Sequence, residues 1–325
     1  MLYRASHPFL QIAAKTIEKK NKVLVRMKRR PKALAKVKVI PDKHFRFLCS
    51  YIKLTDLWLL SLVSKKMTGQ YALTVFESTR RMGYLRREKE FLSHQETEKV
   101  PFRGAELFVC YYGPRNGKPI LLVHGWDANG LMFRHLAEFL AAQGYRVIVP
   151  DLPGHGGSGL ERASVYDMAE AIARLMKSKG PLHAMIGHST GGLVGALAIS
   201  SGLRCNRFVS LGIPSSLGEL LDINVSLHQM PRCTRASMGQ IYTSGFGKTP
   251  EQVGLQMLLD RRDQVLVCHD KEDARVPLEG LLDVYSHFPE DQVFLCNTGS
   301  HNGLLKSNDV NARVQKFLSE TECVQ

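Results

Sequence analysis

Residues 182–195 read LHAMIGHSTGGLVG: a short apolar run, a serine between glycines, then small residues that continue as a helical pattern to Ser201. His183–Ile186 has the length and apolar content of a strand, and Gly192–Ser201 that of a helix. The junction, Gly187-His188-Ser189-Thr190-Gly191, fits G-x-S-x-G, which is a weak pattern by itself. Its position between strand and helix gives it meaning. A sharp strand-to-helix turn pushes the serine hydroxyl away from the backbone, and flanking glycines leave room for the turn. The helix start adds backbone N–H groups and a positive dipole end where an oxyanion would develop. Gly191, Gly192 and Gly195 let the helix lie close to the sheet. Ser189 is the candidate nucleophile, and the Thr190 N–H a candidate oxyanion donor.

The same rhythm extends both ways along the chain. Gly104–Tyr112 reads as strands, followed by a turn at Gly113–Gly117. Further apolar runs fall at Ile120–Val123, Arg146–Val149, Phe208–Leu211, Val265–Val267 and Val293–Cys296. Helical patterns fall between or after them at Met132–Gln143, Tyr166–Ser178, Leu278–His287 and Asp309–Leu318. Continuous apolar strands alternating with helices predict an α/β fold: a doubly wound, mostly parallel sheet covered on both faces. Between Ile213 and Asp263 there is no strand signal, which predicts a small helical insertion.

In such a sheet, reactive groups gather beyond the carboxyl ends of the strands. After Val123 comes His124-Gly125-Trp126, where a turn at Gly125 would present the Trp126 N–H as a second oxyanion donor. His124, Gly125 and His188 border the same space and are the candidate substrate-binding residues, although His124 reads first as a buried, hydrogen-bonded turn residue. After Val149, the loop Asp151–Ser158 carries three glycines and a proline, and Asp151 and His155 are expected to tie it in place. A serine nucleophile needs a base, and the base needs a carboxylate to fix its tautomer. After Cys296, His301 sits on a glycine-flanked loop and is the candidate base; His287 precedes that strand and so falls at the wrong end of the sheet. After Val267, three acids compete to orient the base. Asp273 is favoured for its place on the loop just before Val276-Pro277, with Asp270 and Glu272 as alternatives.

The motifs H-G-W, D-x-P-G-H-G-x-S, G-H-S-x-G, D-x-x-V-P and the final histidine stand in one order over residues 104–320, and together they resemble the α/β-hydrolase superfamily. The resemblance implies an eight-stranded sheet with a small lid from about 214 to 260. It also implies a Ser189–His301–Asp273 triad that needs no metal or cofactor. Serine at position 189 argues against the haloalkane-dehalogenase branch. The activity implied is hydrolysis of a carboxylic ester or other small acyl substrate through an acyl-enzyme. A thioesterase, a lysophospholipase-like lipase or a C–C hydrolase would use the same residues, and a catalytically silent binding protein would keep the fold.

Charge divides the chain. Of the 44 Lys and Arg and 30 Asp and Glu, residues 1–100 hold 23 basic and 8 acidic groups, so the whole net charge of +14 belongs to the N-terminal third. The expected organisation is a basic, mainly helical extension over 1–100 and a hydrolase domain over 101–325. Tyr71, Val75, Met82 and Leu85 recur at helical spacing in the extension, and Arg26–Lys38 holds seven basic residues and no acid. Leu57–Val63 is too short to span a bilayer and reads as a buried or interfacial helix. Three readings of the extension compete: packing on the core or self-association, contact with an anionic membrane surface, and nucleic acid. No zinc, RNP-like or helix-turn-helix pattern supports the last of these. Seven scattered cysteines without a C-x-x-C, and no secretory signal near Met1, fit a reducing, cytoplasmic setting with peripheral membrane contact as the variant. Cys110, Cys268 and Cys296 read as small core residues.

Overall fold

The computed structural model describes residues 56–79 and 81–320. The basic stretch Arg26–Lys38 and the start of the extension therefore lie outside the described residues. One sheet of eight strands organises the rest: β1 Glu96–Phe102, β2 Ala105–Tyr112, β3 Pro119–Val123, β4 Arg146–Pro150, β5 Leu182–His188, β6 Cys205–Leu211, β7 Val265–Asp270 and β8 Val293–Cys296. The spatial order is β1-β2-β4-β3-β5-β6-β7-β8. Only the β1–β2 and β2–β4 pairs are antiparallel.

Period-two alternation splits each central strand between two cores. Leu121, Val123, Met185, Phe208 and Val267 enter one cluster, while Ile120, Leu122, Ile186, Val209 and Leu266 enter the other. Helices α4 Val165–Met176 and α5 Thr190–Ser200 cover the first face; α3 Arg134–Ala142 and α8 Asn308–Ser319 cover the second. Both faces are buried, which is why these strands read as continuous apolar runs. Cys110 and Cys268 sit in this core, but Cys296, on edge strand β8, is only half-buried.

The sheet starts before residue 101. β1 and β2 form a hairpin through Arg103 and Gly104, both with positive φ (48° and 77°). β1 has no sequence signal because it is an exposed edge, ETEKVPF, with only Phe102 buried and a proline at position 101.

Ahead of the sheet, residues 56–63 are helical, followed by α1 Lys65–Glu77 and α2 Arg86–Ser93. Tyr71 and Val75 lie on α1, but Met82 and Leu85 do not continue its face: α1 ends at Glu77, and both residues are exposed. Long-range hydrogen bonds hold this stretch in irregular form. Thr79 Oγ1 donates to the Gly154 carbonyl at 2.6 Å, Arg81 donates to the Leu160 carbonyl, and Asn129 Nδ2 donates to the Met82 carbonyl at 3.3 Å.

The insertion after β6 is helical as the sequence predicts, with α6 Leu217–Leu227 and α7 Cys233–Phe246. Ser216 caps α6 by accepting from the Glu219 N–H at 3.2 Å. Helix α1 packs along α7, so the N-terminal region adds a third helix to the lid.

Helix α5 approaches β3 most closely at Gly191, where an added Cβ would lie 2.0 Å from the Val123 carbonyl oxygen. Gly191→Ala is expected to lower the urea-unfolding free energy by about 1–3 kcal/mol, because a backbone carbonyl yields poorly. Gly245→Ala is the control. It lies inside α7 with open space around it, and should raise stability by roughly 0.5–1 kcal/mol. Equal effects of the two substitutions would contradict this packing.

Candidate active site

Ser189 follows the last residue of β5 and precedes the first of α5, with φ 54° and ψ −126°. A non-glycine residue there is strained by about 1–3 kcal/mol, and such strain persists only where the surroundings enforce it. Here the Ser189 N–H donates to the Leu211 carbonyl on β6 at 2.9 Å, and the Gly192 N–H returns to the Ser189 carbonyl at 2.8 Å. Thr190 opens α5, so its N–H is one of the four that an α-helix leaves without an intrahelical partner.

His301 comes to the same place from the loop beyond β8. Its ring lies 3.3 Å from the Cβ position of Gly212, the residue next to Leu211. Its Nδ1–H donates to Asp273 Oδ2 at 2.6 Å, both side chains being buried, and Nε2 lies on the other side of the ring. The other carboxylate oxygen of Asp273 accepts from the Arg275 and Val276 N–H groups at 2.8 and 3.0 Å. Burial raises the pKa of Asp273, but the hydrogen bond from His301 and those from the two backbone N–H groups outweigh it and hold the carboxyl below its ordinary value.

The other two acids behave differently. Asp270 accepts from the Glu272 N–H at 2.8 Å, from the Thr298 N–H, and from Thr298 Oγ1 at 2.5 Å, so it anchors the loop that carries His301 rather than touching its ring. Glu272 is exposed. His287 is exposed too, and bonds its own helical turn through the Asp283 carbonyl.

Gly125 closes the site from the β3 side. An added Cβ there would sit 3.1 Å from Ser189 Cβ, so the 124–126 turn lies directly against the serine. His124 does not reach this space. It is fully buried, its Nδ1–H donates to the Gly125 carbonyl at 2.8 Å, and its Nε2 accepts from the Leu152 N–H at 2.9 Å. No polar atom is left for a ligand, which corrects its place among the substrate-binding candidates. His188 is also buried; its Nε2 bonds the His301 carbonyl at 3.2 Å, its ring lies 4.7 Å from that of His301, and its Nδ1 has no partner.

Two loops brace these groups. Asp151 accepts from Gly130 and Gly157 N–H at 2.7 and 2.6 Å and from the Tyr84 hydroxyl. His155 bonds the Pro153 carbonyl at 3.0 Å and accepts from the Asp127 N–H at 3.2 Å. The N-terminal region supplies what motif reading misses. Phe76 of α1 stacks on Trp126 at 4.7 Å between ring centroids, and Tyr84 holds Asp151. Neither residue belongs to a motif, and each meets its partner across a long stretch of sequence. At the opposite end of the sheet, a recess of about 580 Å³ is lined by Glu96, Glu98, Arg115, Arg146 and Lys179, whose charges pair with one another.

Residues 118–230 match the family model of the alpha/beta hydrolase fold. Over 187 residues the chain is 30% identical to the pimeloyl-[acyl-carrier protein] methyl ester esterase of Chromobacterium violaceum, covering 54% of this chain and 70% of that protein. The chain belongs to the α/β-hydrolase family. This α/β hydrolase is also 44% identical over 93 residues to the magnesium-chelatase 30 kDa subunit of Rhodobacter capsulatus, covering 27% of this chain and 32% of that one. With several such relatives it shares only about a third of their length. The structure of the N-acyl homoserine lactonase AidH superposes with a TM-score of 0.56 at 19% identity, over 71% of this chain and 98% of that one, a likeness of fold.

Burial holds three histidines of the hydrolase neutral: His124 and His155 are pushed down to about 4, and His188, with the His301 ring beside it as a further cause, to about 3. In the unfolded chain a histidine takes its proton near pH 6.5. Below that pH the unfolded state therefore binds more protons than the folded one, and stability falls as pH falls from about 6.5 toward 4. At pH 5 the loss is on the order of 2 kcal/mol per histidine. Melting temperature should drop between pH 7 and pH 5, and drop less in His124→Gln. An equal drop in both proteins would remove His124 from this account.

Proposed function

We propose that the protein is a serine hydrolase that cleaves a carboxylic ester through an acyl-enzyme. The observation that carries this reading is the buried 2.6 Å hydrogen bond from His301 to Asp273, formed beside the strained turn that holds Ser189. The esterase named among the relatives of this chain supports an ester as the substrate class.

In the first half-reaction Ser189 Oγ attacks the carbonyl carbon, and His301 Nε2 takes the hydroxyl proton. Asp273 holds the imidazole in the tautomer that permits this and stabilises the imidazolium that forms. The tetrahedral oxyanion lies between the N–H groups of Trp126 and Thr190, each worth about 3 kcal/mol of transition-state stabilisation. Collapse breaks the ester C–O bond, and His301 returns the proton to the departing alkoxide. Water then attacks the acyl-enzyme by the same route, releasing the acid and restoring Ser189. His188 bonds the His301 backbone and so positions the base. The unpaired cysteines among the described residues suit a reducing compartment such as the cytoplasm.

Hydrolysis of p-nitrophenyl esters from acetyl to palmitoyl chain length, in wild type and Ser189→Ala, tests the proposal. Loss of at least about 10³-fold in kcat is expected in the variant. The preferred chain length reports the space under α1, α6 and α7. Unchanged turnover in Ser189→Ala, or no turnover of any ester by the folded wild type, would overturn the reading.

A further inference from the structure

The helical segment 56–63 has two unlike faces. Leu57 is buried in the main core and anchors the segment. On the opposite face Trp58, Leu59, Leu62 and Val63 are 51%, 64%, 83% and 81% exposed. Their spacing of one and four residues puts them on one side of a helix, a half-turn from Leu57. Scattered exposed apolar residues are ordinary on a protein surface, but four large ones in two helical turns form a patch.

Charge around the patch indicates what it meets. Lys65 and Lys66 open α1 immediately after it and are exposed, while Asp56 is the one acid from position 56 to 66. Upstream, residues 1–55 contain 15 Lys and Arg against 2 Asp and Glu, a net of +13, while residues 101–325 are close to neutral. An apolar face containing a tryptophan and rimmed by lysines suits the headgroup–acyl boundary of a bilayer. A strongly basic flank adds attraction to anionic lipids. The segment also leads on to the site. Ser64 joins the segment to α1, which runs about 20 Å at 1.5 Å per residue before Phe76 stacks on Trp126 beside the serine.

We propose that the 56–63 face docks on an anionic phospholipid bilayer, seating Trp58, Leu59, Leu62 and Val63 at the interface with the lid helix α1 directly behind it. The docking goes beyond ester hydrolysis and does not depend on it.

The chain holds two tryptophans, Trp58 and Trp126, so Trp126→Phe leaves Trp58 as the only indole reporter. In that full-length variant, vesicles of phosphatidylcholine containing phosphatidylglycerol should shift Trp58 emission to the blue. A brominated lipid should quench it, and added salt should reverse the effect. Phosphatidylcholine alone should do less. Leu62→Gln with Val63→Gln should reduce vesicle affinity at least tenfold while leaving turnover of a soluble short-chain ester unchanged, so failure of docking and failure of the hydrolase reading are read separately. Vesicle binding with unshifted Trp58 emission would overturn the proposal, since charge alone would then be responsible. So would a blue shift that follows protein concentration without lipid, which would assign the face to a second copy of the chain. Binding to RNA in preference to the vesicles would do the same.

Discussion

The arrangement of the site depends on one reversal of backbone direction. At Ser189 the chain leaves β5 and enters α5 through a left-handed residue that is not glycine. The reversal is held on three sides: by the Leu211 carbonyl of β6, by the approach of Gly191 to the carbonyl of Val123, and by the contact of Gly125 with the serine itself. Because β3, β5 and β6 are neighbours in the sheet, one strained residue fixes the relative position of three strand ends. Strain of this kind persists only in a rigid surrounding, and the two fully packed faces of the sheet supply it.

Around the turn, polar groups are fixed by the backbone rather than left to solvent. His124, His155 and His269 each bond backbone or buried hydroxyl partners, and burial lowers the pKa of all three. Asp270 performs the corresponding task for the loop of His301, and His188 ties that loop to the serine turn. His301 bonds the Asp273 carboxylate directly at 2.6 Å, whereas His269 lies 4.0 Å from it and has both ring nitrogens taken, by the Val276 carbonyl and the Tyr285 hydroxyl. That difference separates the candidate base from the other buried histidines.

The strands and the strand-end motifs were legible because a sheet buried on both faces demands uninterrupted apolar runs, and because polar clusters follow each of them. Loop position favours Asp273 over Asp270 as the partner of the base; Asp273 bonds the His301 ring, and Asp270 bonds the Thr298 N–H. What was not legible has a common cause. β1 is an exposed edge with no apolar alternation, and Met82 and Leu85 keep helical spacing in a segment that long-range hydrogen bonds hold irregular. Phe76 and Tyr84 become part of the site only through contacts 50 and 67 residues away, which no local pattern encodes. His124 reads from sequence first as a buried turn residue, and its two backbone partners are those of one.

In the proposed reaction Ser189 is a nucleophile activated by His301. The most direct measurement is labelling of the folded protein with a fluorophosphonate, followed by mass spectrometry of the peptides. A single stoichiometric adduct is expected on Ser189, absent in Ser189→Ala and slowed at least about 10³-fold in His301→Ala. An adduct on another residue, or equal labelling in His301→Ala, would contradict it.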